Sequence, residues 1–388
     1  MGEYKQIDCL DRNIKFLKFL AVWPTGSGKY YQYYSSLFLI IFVIIYDISY
    51  SINLFYIPTQ LDYILEDLVL YFTVIATLSK TLTFYFQHDK ITKILSIVES
   101  DLFQEDSKEA KKIIDDAKKF NIKYWNIVAG ISLTSNAAHL TVPLLTYLIT
   151  GTELQLPVYS CDFLSKNIKD MFIYPLYIYQ AIGMNFIVWY NVNTDGIFLG
   201  FIRFTIAQLD ILDLKLRNIG KFDKDIEDKE EEAIKKLNDC IIHFDGVAKF
   251  CDLVQDAFSL TLFIQMGTAS MVLCVILFRF TMPAPSLYLV YLVTYMFAMI
   301  AQRAVPCWYG TRIIVKSARL AHSVYACDWT PRSQIFKSSM RLLVERVNRP
   351  LSIISGKMVV LSLDTLTSII NSAYSFYTLL RHMQSREN

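Results

Sequence analysis

The sequence predicts an all-α membrane protein of seven transmembrane helices, N-terminus cytoplasmic and C-terminus extracellular, with helical extensions forming a cytoplasmic anchor region. Three observations carry that reading. The 388 residues are 54% hydrophobic and only 19% charged, with a mean hydropathy of +0.33; soluble globular chains run near ~45–50% and ~25%. The apolar residues gather into seven stretches, each about long enough to cross a ~30 Å hydrocarbon core as a helix. Lys and Arg alternate in density between those stretches. A formal net charge of +2 gives no general attraction to nucleic acid, so the expected surroundings are a lipid bilayer.

The stretches are 35–57, 68–86, 124–150, 171–202, 257–278, 286–309 and 356–380. Ahead of the first, 14–22 is a short apolar run broken by Lys15 and Lys18 and followed by Trp23-Pro24. It lacks a small-residue cleavage site and is expected to be an amphipathic interfacial helix. The segments 1–34, 87–123, 203–256 and 302–357 hold 32 Lys and Arg, whereas the alternate segments hold five and Lys80 lies inside a span. The positive-inside rule therefore puts the N-terminus in the cytoplasm, and an odd span count puts the C-terminus outside. The expected division is a cytoplasmic segment at 1–34, a six-helix bundle with long cytoplasmic loops at 35–309, an anchor helix at 310–355, a seventh helix at 356–381 and a short extracellular tail at 382–388.

The cytoplasmic loops keep helical periodicity. Ile234, Leu237, Ile241, Phe244 and Ala248 recur at three or four residues, and 332–347 is amphipathic before Asn348-Arg349-Pro350 stops it. Packing among these extensions and contact between subunits are both compatible with that pattern. Five of the seven cysteines (Cys9, Cys240, Cys251, Cys307 and Cys327) fall in or beside cytoplasmic regions, Cys274 lies in a span, and Cys161 is alone outside. No metal or cofactor is expected, because no C-x-x-C or H-E-x-x-H spacing occurs and the five His are scattered. Gly26-Ser27-Gly28-Lys29 resembles the end of a P-loop, but Trp23 and Tyr30 stand where Gly and Ser or Thr are needed. It is read as a connector. Enzyme chemistry has no paired carboxylates or nucleophile–base spacing to rest on.

The last stretch is the most informative. Asp364, Ser368, Asn371, Ser375, Thr378 and His382 follow spacings of three and four, with Ser372 beside them. A polar stripe on a spanning helix faces water or other polar groups, because polar atoms facing lipid cost free energy. Two readings stay open: small-residue helix packing with hydroxyls bonded to their own backbone, or one wall of an aqueous pore that needs several subunits to enclose it.

The run Leu361-Ser362-Leu363-Asp364-Thr365, continuing through Asn371-Ser372-Ala373-Tyr374-Ser375-Phe376-Tyr377-Thr378-Leu379-Leu380-Arg381, resembles the C-terminal signature of insect odorant receptors. Phe19-Leu20-Ala21-Val22-Trp23-Pro24 is similar to that family's N-terminal segment. The resemblance implies a ligand-gated non-selective cation channel in the plasma membrane of olfactory neurons, in which a variable tuning subunit and a common odorant co-receptor form a tetramer around one pore. Ser375-Phe376 and Arg381-His382 depart from the ending of the related gustatory receptors, and the co-receptor has a longer second cytoplasmic loop. A tuning subunit fits best. The alternatives are a G-protein-coupled-type receptor, which lacks its Asp-Arg-Tyr and Asn-Pro-x-x-Tyr runs here, and a transporter, which lacks inverted repeats.

A small volatile odorant calls for an aromatic pocket with few polar groups. The outer halves of the spans offer Tyr71, Phe72 and Ile75, then Asn136, His139 and Pro143. Further along the chain they offer Tyr174, Tyr177, Ile178 and Ala181, then Tyr288, Tyr291 and Tyr295. His139 is either a polar residue satisfied between helices or a donor to a ligand oxygen. In the last span, Leu379 lies one turn beyond Ser375 on the hydroxyl-bearing face, and an apolar ring there closes a narrow pore by dewetting. The resemblance also places a gate here, with Met383 one turn further. Ser372 and Ser375 are expected to line the path, and Asp364 is either a cation-attracting group deeper in it or a structural hydrogen-bonding residue.

Overall fold

The computed structural model describes residues 6–23, 29–56, 61–219, 228–282 and 286–387. A 3-10 turn at Ile7–Leu10 leads into α1 (Asp11–Phe19). The helix α2 (Lys29–Leu39) passes through a π-helical stretch, Ile40–Ile44, into α3 (Ile45–Leu54). The chain continues through α4 (Leu61–Phe86), α5 (His88–Val98), α6 (Lys108–Thr150), α7 (Lys166–Met171), α8 (Ile173–Asn218), α9 (Asp228–Arg279), α10 (Ser286–Tyr325) and α11 (Gln334–Val347). A two-residue pair of strands, β1 (Ile354–Ser355) and β2 (Val359–Val360), precedes the last helix, α12 (Leu363–Glu387).

Among the described residues the first six expected spans fall almost wholly on helices, several of which run on well beyond the expected spans. α6, α8 and α9 have 43, 46 and 52 residues, far more than the ~20 that cross a bilayer. Local chemistry sets several ends. Ser107 caps α6 by accepting from the Ala110 N–H at 3.2 Å, and Ser333 caps α11 by accepting from Phe336 at 3.3 Å. Pro143 and Pro306 lie inside α6 and α10, as proline does in packed membrane helices.

Among the described residues, four helices are apolar and long enough to cross a membrane by length and composition: Tyr33–Leu54, Asp67–Phe86, and stretches within Lys108–Thr150 and Glu230–Arg279. α8, α10 and α12 carry polar groups within their expected spans. Asn191 and Asp195 lie on α8, Gln302 and Arg303 on α10, and the serines on α12.

The main core sits at the base of the molecule, the end bearing α5, α11 and the strand pair. Phe103, Phe201, Phe250, Leu237, Leu212, Ile313, Phe336 and Val347 are buried together there. α8 runs through its middle, so Ile197, Leu199, Phe201, Ile202, Phe204, Leu209 and Leu212 are all buried. Burying each such side chain contributes ~1.5–3 kcal/mol.

The amphipathic helix expected at 14–22 is α1, one side of which packs on protein while Phe19 is 62% exposed. Phe16 lies between Trp125 of α6 and Trp189 of α8, with ring centroids 5.8 and 4.4 Å away, and Leu17 is fully buried. Residues Pro24, Gly26, Ser27, Gly28 and Ile57 lie outside the described residues. Arg303, grouped with a cytoplasmic loop by the charge count, is 7% exposed inside the bundle.

The last span differs in both bounds. It begins at Leu363 rather than 356, because Ile354 pairs with Val360 and Ser355 with Val359 around a tight turn. Gly356 and Lys357 both take positive φ (+56° and +59°), and Met358 N–H donates to the Ser355 carbonyl at 3.0 Å, the pattern of a type I′ turn. The helix also runs on to Glu387, through the segment expected to be a tail.

The hairpin is pinned to two long helices. Gly356 N–H donates to the Ser259 carbonyl (3.0 Å), and Ile354 N–H donates to Gln255 Oε1 (2.7 Å). Leu363 N–H donates to Thr311 Oγ1 at 2.9 Å, so α10 caps α12. A Cβ at Gly310 would stand 2.2 Å from the Leu361 carbonyl oxygen. Only glycine lets α10 approach so closely.

Candidate functional site

The residues expected in one ligand pocket are distributed over three seams. In the first, Tyr71 of α4 meets Tyr50 of α3 edge-on at 5.5 Å, and its hydroxyl is 3.1 Å from Ser51 Oγ. Tyr50 stacks on Tyr159 at 5.1 Å. The wholly buried Gln180 of α8 fixes that loop: Oε1 accepts from Val158 and Tyr159 N–H (3.0 and 3.3 Å), and Nε2 donates to the Tyr159 carbonyl (2.8 Å).

Phe72 faces the second seam, where it packs with Val69, Val272, Leu292 and Tyr295 of α4, α9 and α10. The Tyr295 hydroxyl is 2.7 Å from Thr73 Oγ1, and Ile75 is half-buried. The third seam joins α6 to α8. Asn136 Nδ2 donates to Asn185 Oδ1 at 3.0 Å, Asn185 Nδ2 donates to the Ala181 carbonyl at 2.8 Å, and the Tyr177 hydroxyl donates to the Leu140 carbonyl. His139 hydrogen-bonds the Pro157 carbonyl, and its Nε2 is buried with no partner. Pro143 is half-buried, whereas Tyr174 and Ile178 are exposed, with the Tyr174 hydroxyl 3.0 Å from that of Tyr147. The side chains of Tyr288, Tyr291 and Met383 lie outside the described residues.

Deeper in the bundle, where α4, α8, α9 and α10 meet, lies a group that the sequence reading passed over. Lys80 Nζ is 2.6 Å from Asp195 Oδ1 and also donates to Asn191 Oδ1. Gln302 Nε2 donates to Asp195 Oδ2 (2.7 Å) and Asn191 Oδ1 (3.2 Å). Arg303 Nη1 donates to Gln265 Oε1, its Nη2 is 3.7 Å from Asp195 Oδ2, and its Nε is buried without a partner. Two cavities of about 10 Å³, each room for one water, share Lys80 and Gln265 as walls. Phe72, Ala76 and Met299 form the apolar side of one. The group had a legible signal. Lys80, Asp195 and Arg303 stand six, seven and six residues from the C-terminal ends of their expected spans, and ionisable residues at membrane depth are costly enough to require partners.

α12 presents the opposite case. Asp364, Ser368, Asn371, Ser372 and Ser375 are exposed, and Leu379 is 56% exposed. Leu366 and Ile369 pack on the core, and Ala373 is buried. Ser368 and Ser375 donate to the carbonyls of Asp364 and Asn371, both at 2.9 Å, and Thr378 donates to Ser375 at 2.8 Å. The Ser368, Ser375 and Thr378 hydroxyls are thus met within the helix, while the Asp364 and Asn371 side chains have no partner among the described residues.

Long membrane-depth helices, charges paired within the bundle and one polar helix face left open define a polytopic helical membrane protein. The sequence model described as 7tm Odorant receptor matches residues 60–374. Odorant receptor 46a, isoform B, of Drosophila melanogaster is 22% identical, over 95% of this chain and 97% of its own length. Odorant receptor 23a of the same fly is 26% identical over 59% of this chain and 60% of its own. The solved insect olfactory receptor OR5 from Machilis hrabei shares the fold, with a TM-score of 0.79 at 17% identity, covering 96% of this chain and 97% of that one. Its complex with eugenol gives 0.77 at 16%. The chain belongs to the 7tm odorant receptor family, and it is an insect odorant-sensing membrane receptor.

Proposed function

We propose that this receptor is the odorant-tuning subunit of a ligand-gated non-selective cation channel, assembled as a tetramer with a common odorant co-receptor in the plasma membrane of olfactory neuron dendrites. The observation that carries the proposal is the exposed polar face of α12. In a lone chain it would set Asp364 and Asn371 against lipid, at a cost; around a shared axis the same face meets water and permeant cations. The charge split places the N-terminus inside and the C-terminus outside. The base, including α11 and residues 310–355, then forms the cytoplasmic anchor. The aromatic seams at Tyr71 and Phe72 lie in the outer leaflet, where a volatile ligand enters. Ser372 and Ser375 line the path, Leu379 with Met383 gates it, and Asp364 draws cations to its inner end.

The hairpin supports the coupling. α12 starts from a segment bonded to Gln255 and Ser259 of α9 and to Thr311 of α10. Both helices also wall the Phe72 seam, so a ligand that prefers a different packing of α9 and α10 shifts α12 with them. Whole-cell recording with and without the co-receptor, under a broad odorant panel, tests the proposal. Fast odorant-evoked cation current that needs both chains and no G-protein is expected; current carried only through G-protein signalling overturns it. Leu379→Ser should raise odorant-independent current, and wild-type basal current with normal assembly would remove Leu379 from the gate.

A further inference from the structure

We propose that the chamber between α4, α8, α9 and α10 takes the carboxylate of an aliphatic acid, its head between Arg303 and Lys80 and its chain against Phe72, Ala76 and Met299. The inference rests on the odorant-receptor reading and names the ligand class for it. Charge is the first argument. Among the described lining residues stand two cations, Lys80 and Arg303, and a single carboxylate, Asp195. Lys80 is 3% exposed and Arg303 7%, so solvent does not balance the excess positive charge, and burial of an unbalanced charge is unfavourable. An aliphatic acid is ionised at neutral pH and supplies the missing negative charge.

The second argument is donor geometry. Lys80 is already matched, to Asp195 and Asn191. Arg303 is not: Nη1 is taken by Gln265, Nη2 is beyond hydrogen-bond distance from Asp195, and Nε is buried and unpartnered. A guanidinium presents its donors as a planar fork that a carboxylate fills two at a time. A neutral alcohol fills only one, and an ester brings no charge.

The third is the shape of the lining. Lys80, Asn191, Gln265, Gln302 and Arg303 are polar at one side, with Phe72, Ala76 and Met299 opposite, a charged head site joined to an apolar tail site. The space is water-sized in this structure, and Gln302 and Met299, both long and unbranched, are the side chains whose rotation admits a larger group. Phe72 places the tail site on the aromatic seam described above.

The test is a set of dose–response recordings with the co-receptor, using hexanoic acid, methyl hexanoate and 1-hexanol. Hexanoic acid should be more potent than its ester by about tenfold or more, the scale of a charge-assisted hydrogen bond. Arg303→Gln should lower acid potency by about tenfold more than ester potency, removing that advantage, and Arg303→Lys should restore part of it. Surface labelling separates these effects from misfolding. Equal potency of acid and ester in the unmutated receptor, or an equal loss for all three probes in Arg303→Gln at normal surface level, overturns the carboxylate site and leaves the receptor reading intact. Silence to these probes and to the whole odorant panel counts against both.

Discussion

Two sets of polar residues lie at membrane depth in this chain, and they have been settled differently. Lys80, Asn191, Asp195, Gln302 and Arg303 face one another across α4, α8 and α10, and Lys80 Nζ, Gln302 Nε2 and Arg303 Nη1 each donate to an acceptor within the chain. Asp364, Ser368, Asn371, Ser372 and Ser375 face outward from α12, where the Ser368 and Ser375 hydroxyls are satisfied by their own helix. The first set holds one chain together. The second leaves its carboxylate and amide to be satisfied by whatever surrounds it, which on the proposed reading is a water-filled path shared by four chains.

The largest effects should come from breaking the first set. Removing one member of a buried ion pair costs about 3–5 kcal/mol, because its partner stays buried and unpaired. Asp195→Ala leaves two cations facing each other, whereas Lys80→Ala leaves Asp195 near Arg303 and bonded to Gln302. Asp195→Ala should therefore lower the thermal stability of detergent-solubilised receptor more than Lys80→Ala. Equal melting temperatures for both variants and the unmutated receptor would show that the cluster does not hold the helices.

A smaller effect is expected at the base. His243 is buried, with Nε2 3.0 Å from Gln208 Oε1 and Nδ1 unpartnered. Burial, aided by Lys215, pushes its pKa down to about 3. Between that value and the unfolded pKa near 6.5, the unfolded chain binds a proton that the native chain does not, so stability falls as pH drops. From pH 7 to pH 5 the loss from this residue should be roughly 2 kcal/mol, and His243→Gln should flatten the pH dependence of melting. An unchanged slope in that variant would assign the acid sensitivity elsewhere.

The smallest effect belongs to the aromatic seam. Tyr71→Phe removes one hydroxyl bond to Ser51, worth about 1 kcal/mol, and should shift odorant potency little. Tyr71→Ala opens the contact with Tyr50 and should shift it far more. Identical dose–response curves for the two variants, at normal surface level, would take Tyr71 out of ligand recognition.

The helices were legible because hydropathy and length state them directly, and the amphipathic repeat at 332–347 reads out as α11 for the same reason. The hairpin before α12 was not: 356–362 is apolar enough to be taken as helix, and only the turn at Gly356 and Lys357, held by Gln255 and Ser259 far away in sequence, reveals otherwise. The helix at α1 was legible from its periodicity, but periodicity marks an apolar face without naming Trp125 and Trp189 as what Phe16 packs against. For the site, residue type suggested aromatic walls, but adjacent residues on a helix diverge by about 100°, so Tyr71 and Phe72 serve different seams. Lys80, Asp195 and Arg303 escaped because each looks like an isolated exception in its own span; their common depth shows only when the spans are compared.

The most direct test of the central claim is cysteine accessibility on α12 in channels assembled with the co-receptor. Ser375→Cys and Leu366→Cys lie on the open and the packed side of that helix, and a charged, membrane-impermeant thiol reagent is applied outside during odorant stimulation. The account predicts that modification sharply reduces odorant-evoked current in Ser375→Cys and leaves Leu366→Cys unchanged. Unaltered current in Ser375→Cys, with labelling of the introduced thiol demonstrated, would contradict a pore lined by this helix.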